Sequence, residues 1–191
     1  MKKLLVVMVL ALVVPKVGSA GDDSFGIRGG MSIPNGTFQD PSGYFDLVKT
    51  IGFKDNKTMS MAFGASFANF KYFGDPIVRI AGSVGPQILL PLTSAEKTTS
   101  LYLLPAISGG PIFRVESGSD KTWRWGLDLG AGLMIPVGSS NQQFEIGGIF
   151  SLTNLIKKRT VEEEYDWDIE EYVGGKEPSI NLINIHIGFI F

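Results

Sequence analysis

Large apolar residues alternate with small or polar ones along most of the chain from Ser24 onward. In the clearest stretch, every second residue from Trp123 to Ile135 is Trp, Leu, Ala or Ile, while Arg, Gly and Asp fill the positions between as far as Gly132. A period of two places neighbouring side chains on opposite faces of a β-strand, whereas an amphipathic helix repeats about every 3.6 residues. The pattern therefore predicts an all-β protein.

Seven segments carry this alternation, and turn-forming residues separate them. An eighth segment, Tyr44–Phe53, is mixed on both faces, but adding it gives the even strand number of bacterial barrels and brings both chain ends to one side. We therefore predict an eight-stranded antiparallel β-barrel with up-and-down connections. The seven clear segments lie near residues 24–33, 59–68, 78–85, 99–115, 123–135, 143–155 and 179–191.

Pro105 and Pro111 interrupt the segment 99–115. Proline has no backbone N–H, and a closed barrel has no free edge where that loss is harmless. We therefore expect each proline at a β-bulge or near a strand end.

The first twenty residues differ from the rest of the chain. Lys2 and Lys3 precede an apolar run from Leu4 to Val14, and the small residues up to Ala20 suit signal peptidase. Because this run is shorter than the ~20 residues of a spanning helix, we predict a cleaved signal peptide over 1–20 and one barrel domain over 21–191. No later segment suits a spanning helix, so membrane entry would require a closed barrel.

The residues between the large apolar ones indicate which face points inward. In four strands we count eighteen such positions, of which fourteen are Gly, Ala or Ser and the other four are Arg28, Arg79, Arg124 and Asp128. Small residues suit the narrow interior of an eight-stranded barrel. The large apolar face is therefore predicted to point outward into lipid, and the alternative is a soluble periplasmic lipid-binding barrel with an apolar interior.

The final strand is apolar on one face and ends on an aromatic residue, with the pattern Ile183, Ile185, Ile187, Phe189, Phe191. Together with the leader and the alternating strands, it resembles the bacterial outer-membrane β-barrel proteins. Phe25–Gly30 is also similar to the first strand of small barrels of the outer-membrane-protein A and X type. The resemblance implies an outer-membrane location surrounded by lipid, and recognition of Ile187, Phe189 and Phe191 by the barrel assembly machinery.

Several charged residues share the predicted lumen. Because unpaired charges are costly in a low-dielectric interior, we predict that they pair and fill the bore. The alternative is a charged constriction in a narrow channel for small or apolar solutes. The predicted lumen network consists of Arg28, Arg79, Arg114, Arg124, Asp128, Glu145 and His186.

Composition narrows the functional classes. The chain has no cysteine, which excludes disulfides and thiol nucleophiles, and its only histidine, His186, has no serine two residues away on the same strand. We therefore expect no enzyme activity and no cofactor. With 17 basic and 19 acidic residues and no basic patch, nucleic acid is not an expected partner.

The most polar segment is 156–178, which holds seven acidic residues between Glu162 and Glu171, interleaved with Tyr165, Trp167 and Ile169. We predict a solvated extracellular loop, since the glycine spacing of a calcium loop is missing. A divalent cation or a cationic partner is its candidate surface ligand. The overall prediction is a structural or surface-interaction protein of the outer membrane.

Aromatic residues also cluster near predicted strand ends, where an interfacial girdle is expected in a membrane barrel. The candidates are Tyr44, Phe45, Tyr72, Phe73, Trp123, Trp125, Phe189 and Phe191.

Overall fold

β-strands account for nearly all the residues that the computed structural model describes. These residues are 23–35, 40–53, 56–72, 75–92, 99–114, 121–138, 142–153, 160–166, 171–176 and 181–191. The predicted signal peptide lies outside them. Within the described residues, no helix has the length and apolar character needed to cross a membrane.

Ten strands follow one another along the chain. Eight of them form the barrel, and β8 and β9 form a separate two-stranded sheet. Their bounds are β1 Ser24–Asn35, β2 Ser42–Phe53, β3 Asn56–Tyr72, β4 Asp75–Pro91, β5 Ser100–Arg114, β6 Lys121–Pro136, β7 Gln143–Leu152, β8 Thr160–Asp166, β9 Glu171–Lys176 and β10 Asn181–Ile190.

Each barrel strand pairs antiparallel with its neighbours, and β1 closes the sheet against β10. This closing pair runs from Gly26 opposite Ile190 to Asn35 opposite Asn181. Beyond it, Phe25 and Phe191 exchange two backbone hydrogen bonds of 2.8 and 2.9 Å. The predicted eight-stranded up-and-down barrel is therefore confirmed. We call the end with Phe25 and Phe191 the terminal end and the opposite end the hairpin end.

The strand with the weakest pattern, β2, is a full member of the barrel. Its inner face carries Tyr44, Asp46, Val48 and Thr50, all of them buried. Its outer face is apolar except for the half-exposed Lys49. The sequence looked mixed because an aromatic residue and a valine lie on the inner face while a lysine lies on the outer one.

Every barrel strand exposes large apolar side chains on its outer surface. The exposed fraction reaches 58% at both Ile107 on β5 and Ile187 on β10. The inner positions instead hold glycines, small residues and buried polar groups, together with buried apolar side chains toward each end of the barrel. The inward and outward assignment made from the alternation is therefore correct.

Pro105 lies in the middle of β5 without a β-bulge, so the expectation of a bulge or strand end is wrong for it, whereas Pro111 lies near the end of β5 at Arg114. The ladder from β5 to β6 is continuous past both prolines. The ladder to β4 is interrupted beside each of them and resumes in the same register. At the first interruption the backbones approach closely, since a Cβ at Gly85 would lie 2.0 Å from the Pro105 carbonyl oxygen. The interrupted ladder takes the place of a bulge, because proline has no N–H to donate to β4.

The segment 156–178 contains a β-hairpin where we predicted a loop. β8 and β9 pair from Thr160 opposite Lys176 to Asp166 opposite Glu171, with one register shift. Acidic residues obscured the apolar alternation, but backbone pairing forms the strands. The hairpin belongs to the connection between β7 and β10, at the hairpin end.

Of the aromatic residues predicted to form an interfacial girdle, those with described side chains face outward except for Tyr44, and their position at a membrane interface stays a prediction. The Tyr44 side chain is 6% exposed and points into the barrel, because it shares its face of β2 with Asp46 and Val48. Phe73 and the side chain of Tyr72 lie outside the described residues. The outward-facing members are Phe45, Trp123, Trp125, Phe189 and Phe191.

Candidate functional site: the barrel interior

A buried arginine joins three strands on the inside of the barrel. Arg28 on β1 donates from Nε to Glu145 Oε2 on β7 at 2.9 Å. From Nη1 it donates to Asp46 Oδ2 on β2 at 3.1 Å. All three side chains are at most 5% exposed. One guanidinium therefore pairs with two carboxylates from strands on either side of the closing pair.

His186 and Tyr102 complete what we call the Arg28 cluster (Arg28, Asp46, Tyr102, Glu145 and His186). His186 Nε2 lies 3.1 Å from Glu145 Oε1 and 3.1 Å from the Tyr102 hydroxyl. Tyr102 reaches this position from β5, and the Arg28 guanidinium carbon lies 5.7 Å from the centre of its ring. This distance allows a cation–π contact in addition to the ion pairs.

Glycines on β6 and β7 make space for the Tyr102 ring. A Cβ at Gly147 would lie 2.1 Å from the Tyr102 hydroxyl oxygen, and one at Gly132 would lie 2.7 Å from its Cε1 atom. Neither distance is compatible with a side chain. The glycines here therefore leave room for the ring along the wall formed by the neighbouring strands β5, β6 and β7.

A second group of charges joins β4, β5 and β6. Arg79 Nη2 donates to Ser108 Oγ at 3.0 Å, and Ser108 Oγ donates to Asp128 Oδ1 at 3.0 Å. Arg79 and Asp128 are themselves 3.9 Å apart. We call these three residues the Arg79 cluster. Ser108 is therefore held by an arginine and a carboxylate.

The predicted lumen residues thus divide between two clusters. Arg28, Glu145 and His186 meet in the first, and Arg79 and Asp128 meet in the second. Arg124 is half-buried on the inner face of β6. Arg114 ends β5 opposite Ile77, and its side chain lies outside the described residues.

Sequence reasoning missed Asp46 and Tyr102 as members of the first cluster. Asp46 was overlooked because the alternation in β2 is weak, although its spacing from Val48 places both on one face. Tyr102 was overlooked because a large aromatic residue did not fit the small-residue pattern of the inner face. The glycines opposite it were the available signal.

Apolar clusters lie inside the barrel toward each end. At the hairpin end the cluster consists of Tyr44, Ala68, Phe70, Ile77, Ile112, Ile149 and Leu182. At the terminal end it consists of Val48, Ala62, Tyr102, Leu104, Met134 and Ile190. Phe70, Tyr102 and Leu182 have no exposed surface. Between these clusters lies a cavity of about 20 Å³, far below the roughly 300–1,000 Å³ of ligand pockets.

The interior shows no arrangement for metal binding among the described residues. Within the same residues, the polar neighbours of His186 are Glu145 and Tyr102. The expectation that no catalysis occurs stays a prediction.

The residues predicted as an assembly signal lie on the outer face of β10. Ile187, Phe189 and Phe191 are 58%, 38% and 51% exposed. The Phe191 ring lies 5.5 Å from the Phe25 ring across the closing pair. These side chains are accessible to a partner, and their recognition by the assembly machinery stays a prediction.

Solved structures of small outer-membrane barrels share this fold. Neisserial surface protein A matches with a TM-score of 0.54 and 10% identity, over 88% of this chain and 95% of that one. The outer membrane protein OprG from Pseudomonas aeruginosa matches with 0.51 and 13%, over 92% and 99%. The N-terminal β-barrel domain of Pseudomonas aeruginosa OprF matches with 0.50 and 12%, over 90% and 99%.

No family model and no curated protein sequence matches the chain. At the low identities of the structural matches, the common feature is the fold. The resemblance to small outer-membrane barrels is therefore confirmed at the level of architecture.

The Arg28 cluster predicts a large loss of stability when its cation is removed. Arg28→Met should lower the free energy of unfolding by about 3–5 kcal/mol, because the buried anions Glu145 and Asp46 lose the guanidinium that pairs with both. The measurement is urea unfolding of the refolded barrel in detergent. Adding Glu145→Gln and Asp46→Asn to Arg28→Met should restore much of the loss.

The control is Lys71→Met, at an exposed position on β3, which should change stability by less than about 0.5 kcal/mol. A cost below about 1 kcal/mol for Arg28→Met would show that the ion pairs do not organise the interior.

Proposed function

We propose that the mature chain is an integral outer-membrane β-barrel protein with a structural or surface-interaction role and a side-chain-filled lumen. The observation that carries this proposal is the outer face, where every barrel strand exposes large apolar side chains. Soluble monomers rarely expose continuous apolar surface beyond a few hundred Å². In a bilayer the same surface is solvated by lipid chains.

The interior supports a membrane barrel over a soluble lipid carrier. A carrier needs a large apolar chamber, whereas this bore holds buried ion pairs and a cavity of about 20 Å³. The fold shared with small outer-membrane barrels agrees with this choice.

Lysine substitutions at two depths test the membrane location. Ile107 lies at the middle of β5 and Phe53 at the end of β2, and both face outward. In lipid vesicles, Ile107→Lys should lower the free energy of unfolding by about 2–4 kcal/mol, while Phe53→Lys should cost about 0–1 kcal/mol. The depth dependence arises because a charge near the interface reaches water.

Fractionation accompanies this measurement. The protein should be found with the outer membrane, and its electrophoretic mobility should change on boiling. Recovery of the folded protein in the soluble periplasmic fraction, with similar small effects of both lysines, would refute the proposal.

The filled interior predicts that the barrel does not conduct ions. In planar bilayers the unmodified protein should give no single-channel steps, because an apolar cluster closes the bore toward each end. Phe70→Ala and Leu104→Ala should each remain closed, since each leaves the other cluster in place. The double variant Phe70→Ala/Leu104→Ala should show increased conductance. Steps from the unmodified protein would favour the narrow-channel alternative.

We propose that the β8–β9 hairpin is the surface-interaction element and that it binds a cationic protein or peptide. The hairpin forms its own sheet, and its register places Asp166 directly opposite Glu171. Like charges at opposite positions of a sheet are destabilising. A cationic partner would relieve that repulsion.

Trypsin treatment of intact cells tests where this element lies. The hairpin is flanked or ended by Lys157, Lys158, Arg159 and Lys176, so cleavage there should occur from outside while buried Arg28 resists.

Polylysine should bind intact cells through the hairpin, and replacing the seven acidic residues by amides should abolish binding. Trypsin cleavage only after the membrane is opened would overturn the proposal. Equal binding of polylysine to the unmodified and the amide-substituted protein would also overturn it. Displacement of polylysine by calcium, and not by other cationic peptides, would indicate a metal site instead.

A further inference from the structure

The cavity inside the barrel lies between the two charged clusters. Arg28 and Asp46 of the Arg28 cluster contribute to its wall, as do Arg79 and Asp128 of the Arg79 cluster. It therefore touches two guanidinium groups and two carboxylates, and a third carboxylate, Glu145, pairs with Arg28 outside the wall. The remaining polar wall includes Ser151 from β7 and Asn184 from β10.

Three polar atoms of the cavity wall have no hydrogen-bond partner among the described residues. They are Arg28 Nη2, Ser151 Oγ and Asn184 Oδ1. Each belongs to a side chain with only 1% of its surface exposed. Leaving a buried polar atom unsatisfied costs about 1–3 kcal/mol, so three around one cavity indicate a bound partner.

The chemistry of the wall selects that partner. Arg28 Nη2 donates hydrogen bonds, Asn184 Oδ1 accepts them, and Ser151 Oγ does either. A bound anion would meet a net negative charge, because Glu145 brings the carboxylates to three against two arginines. A bound cation would face the unpaired N–H donor of Arg28. A volume of about 20 Å³ exceeds the roughly 10–15 Å³ that one water needs, and the site offers the two to four polar partners that a buried water has.

We propose that this cavity is a binding site for an ordered water molecule that bridges Arg28, Ser151 and Asn184. These residues lie on β1, β7 and β10, which are consecutive strands around the barrel. The water thus connects the closing strand β10 to both of its neighbours from inside. This role does not depend on the location of the barrel in a membrane.

Methyl groups of the cavity wall provide a direct probe. The methyls of Ala62 and Ala106 line the cavity and carry no exchangeable protons. In the full-length folded chain, labelled with ¹³C at alanine methyls and held in micelles, both should show a nuclear Overhauser effect to long-lived water. Absence of this signal at both methyls would mean a dry cavity and would overturn the proposal.

Ala106→Val should displace the water by filling the cavity. The Ala62 signal should then disappear, and the urea midpoint should fall because the three polar atoms lose their bridge. The matched control is Ala131→Val, at an outward-facing alanine on β6, which should keep both the signal and the midpoint. A persisting Ala62 signal in Ala106→Val, or a midpoint above that of the control, would contradict a bound water.

A second variant keeps the test open if Ala106→Val does not fold. Ser151→Ala retains the space but removes one partner, so the water should exchange faster and the Ala62 signal should weaken several-fold. An unchanged signal would count against the bridge. Saturable shifts of the Ala62 methyl on addition of bromide would identify an anion site and overturn the assignment to water.

Discussion

Interior space is the constraint on which the rest of this structure depends. Eight strands enclose a bore just wide enough for side chains, yet this one holds Arg28, Tyr102 and Glu145 together. Such groups fit only where neighbouring inner positions are glycine, as at Gly147 and Gly132. The abundance of glycine and the buried charges are therefore linked, because a large side chain on one strand requires a glycine on another.

The same constraint determines how the charges are compensated. Burying ions is costly, and the attraction between them offsets that cost only when geometry and hydrogen bonding are good. Arg28 satisfies two carboxylates, and Ser108 lies between Arg79 and Asp128. Apolar clusters toward both ends keep bulk water away from these pairs, so the interior contacts connect opposite walls of the barrel.

The fold could be predicted from the sequence because a period of two is a local property that every strand displays. Even the weak strand β2 followed from the requirement that the barrel close. The members of the clusters were harder to predict, because which side chains meet depends on register between strands distant in sequence. Asp46 has the right face, but only pairing through β1 and β10 brings it near Glu145. Tyr44 was misplaced since an aromatic residue fits either a girdle or a bore.

The closing pair also has a consequence for how the barrel forms. Gly26 pairs with Ile190, so the second ladder of β1 cannot form until the last strand is in place, and this ladder joins residues far apart in sequence. Until then, β1 and the last strand in place both present unpaired backbone to any other chain. The period before closure is therefore the time of greatest risk of aggregation, and a chain shortened before β10 would keep both edges open permanently.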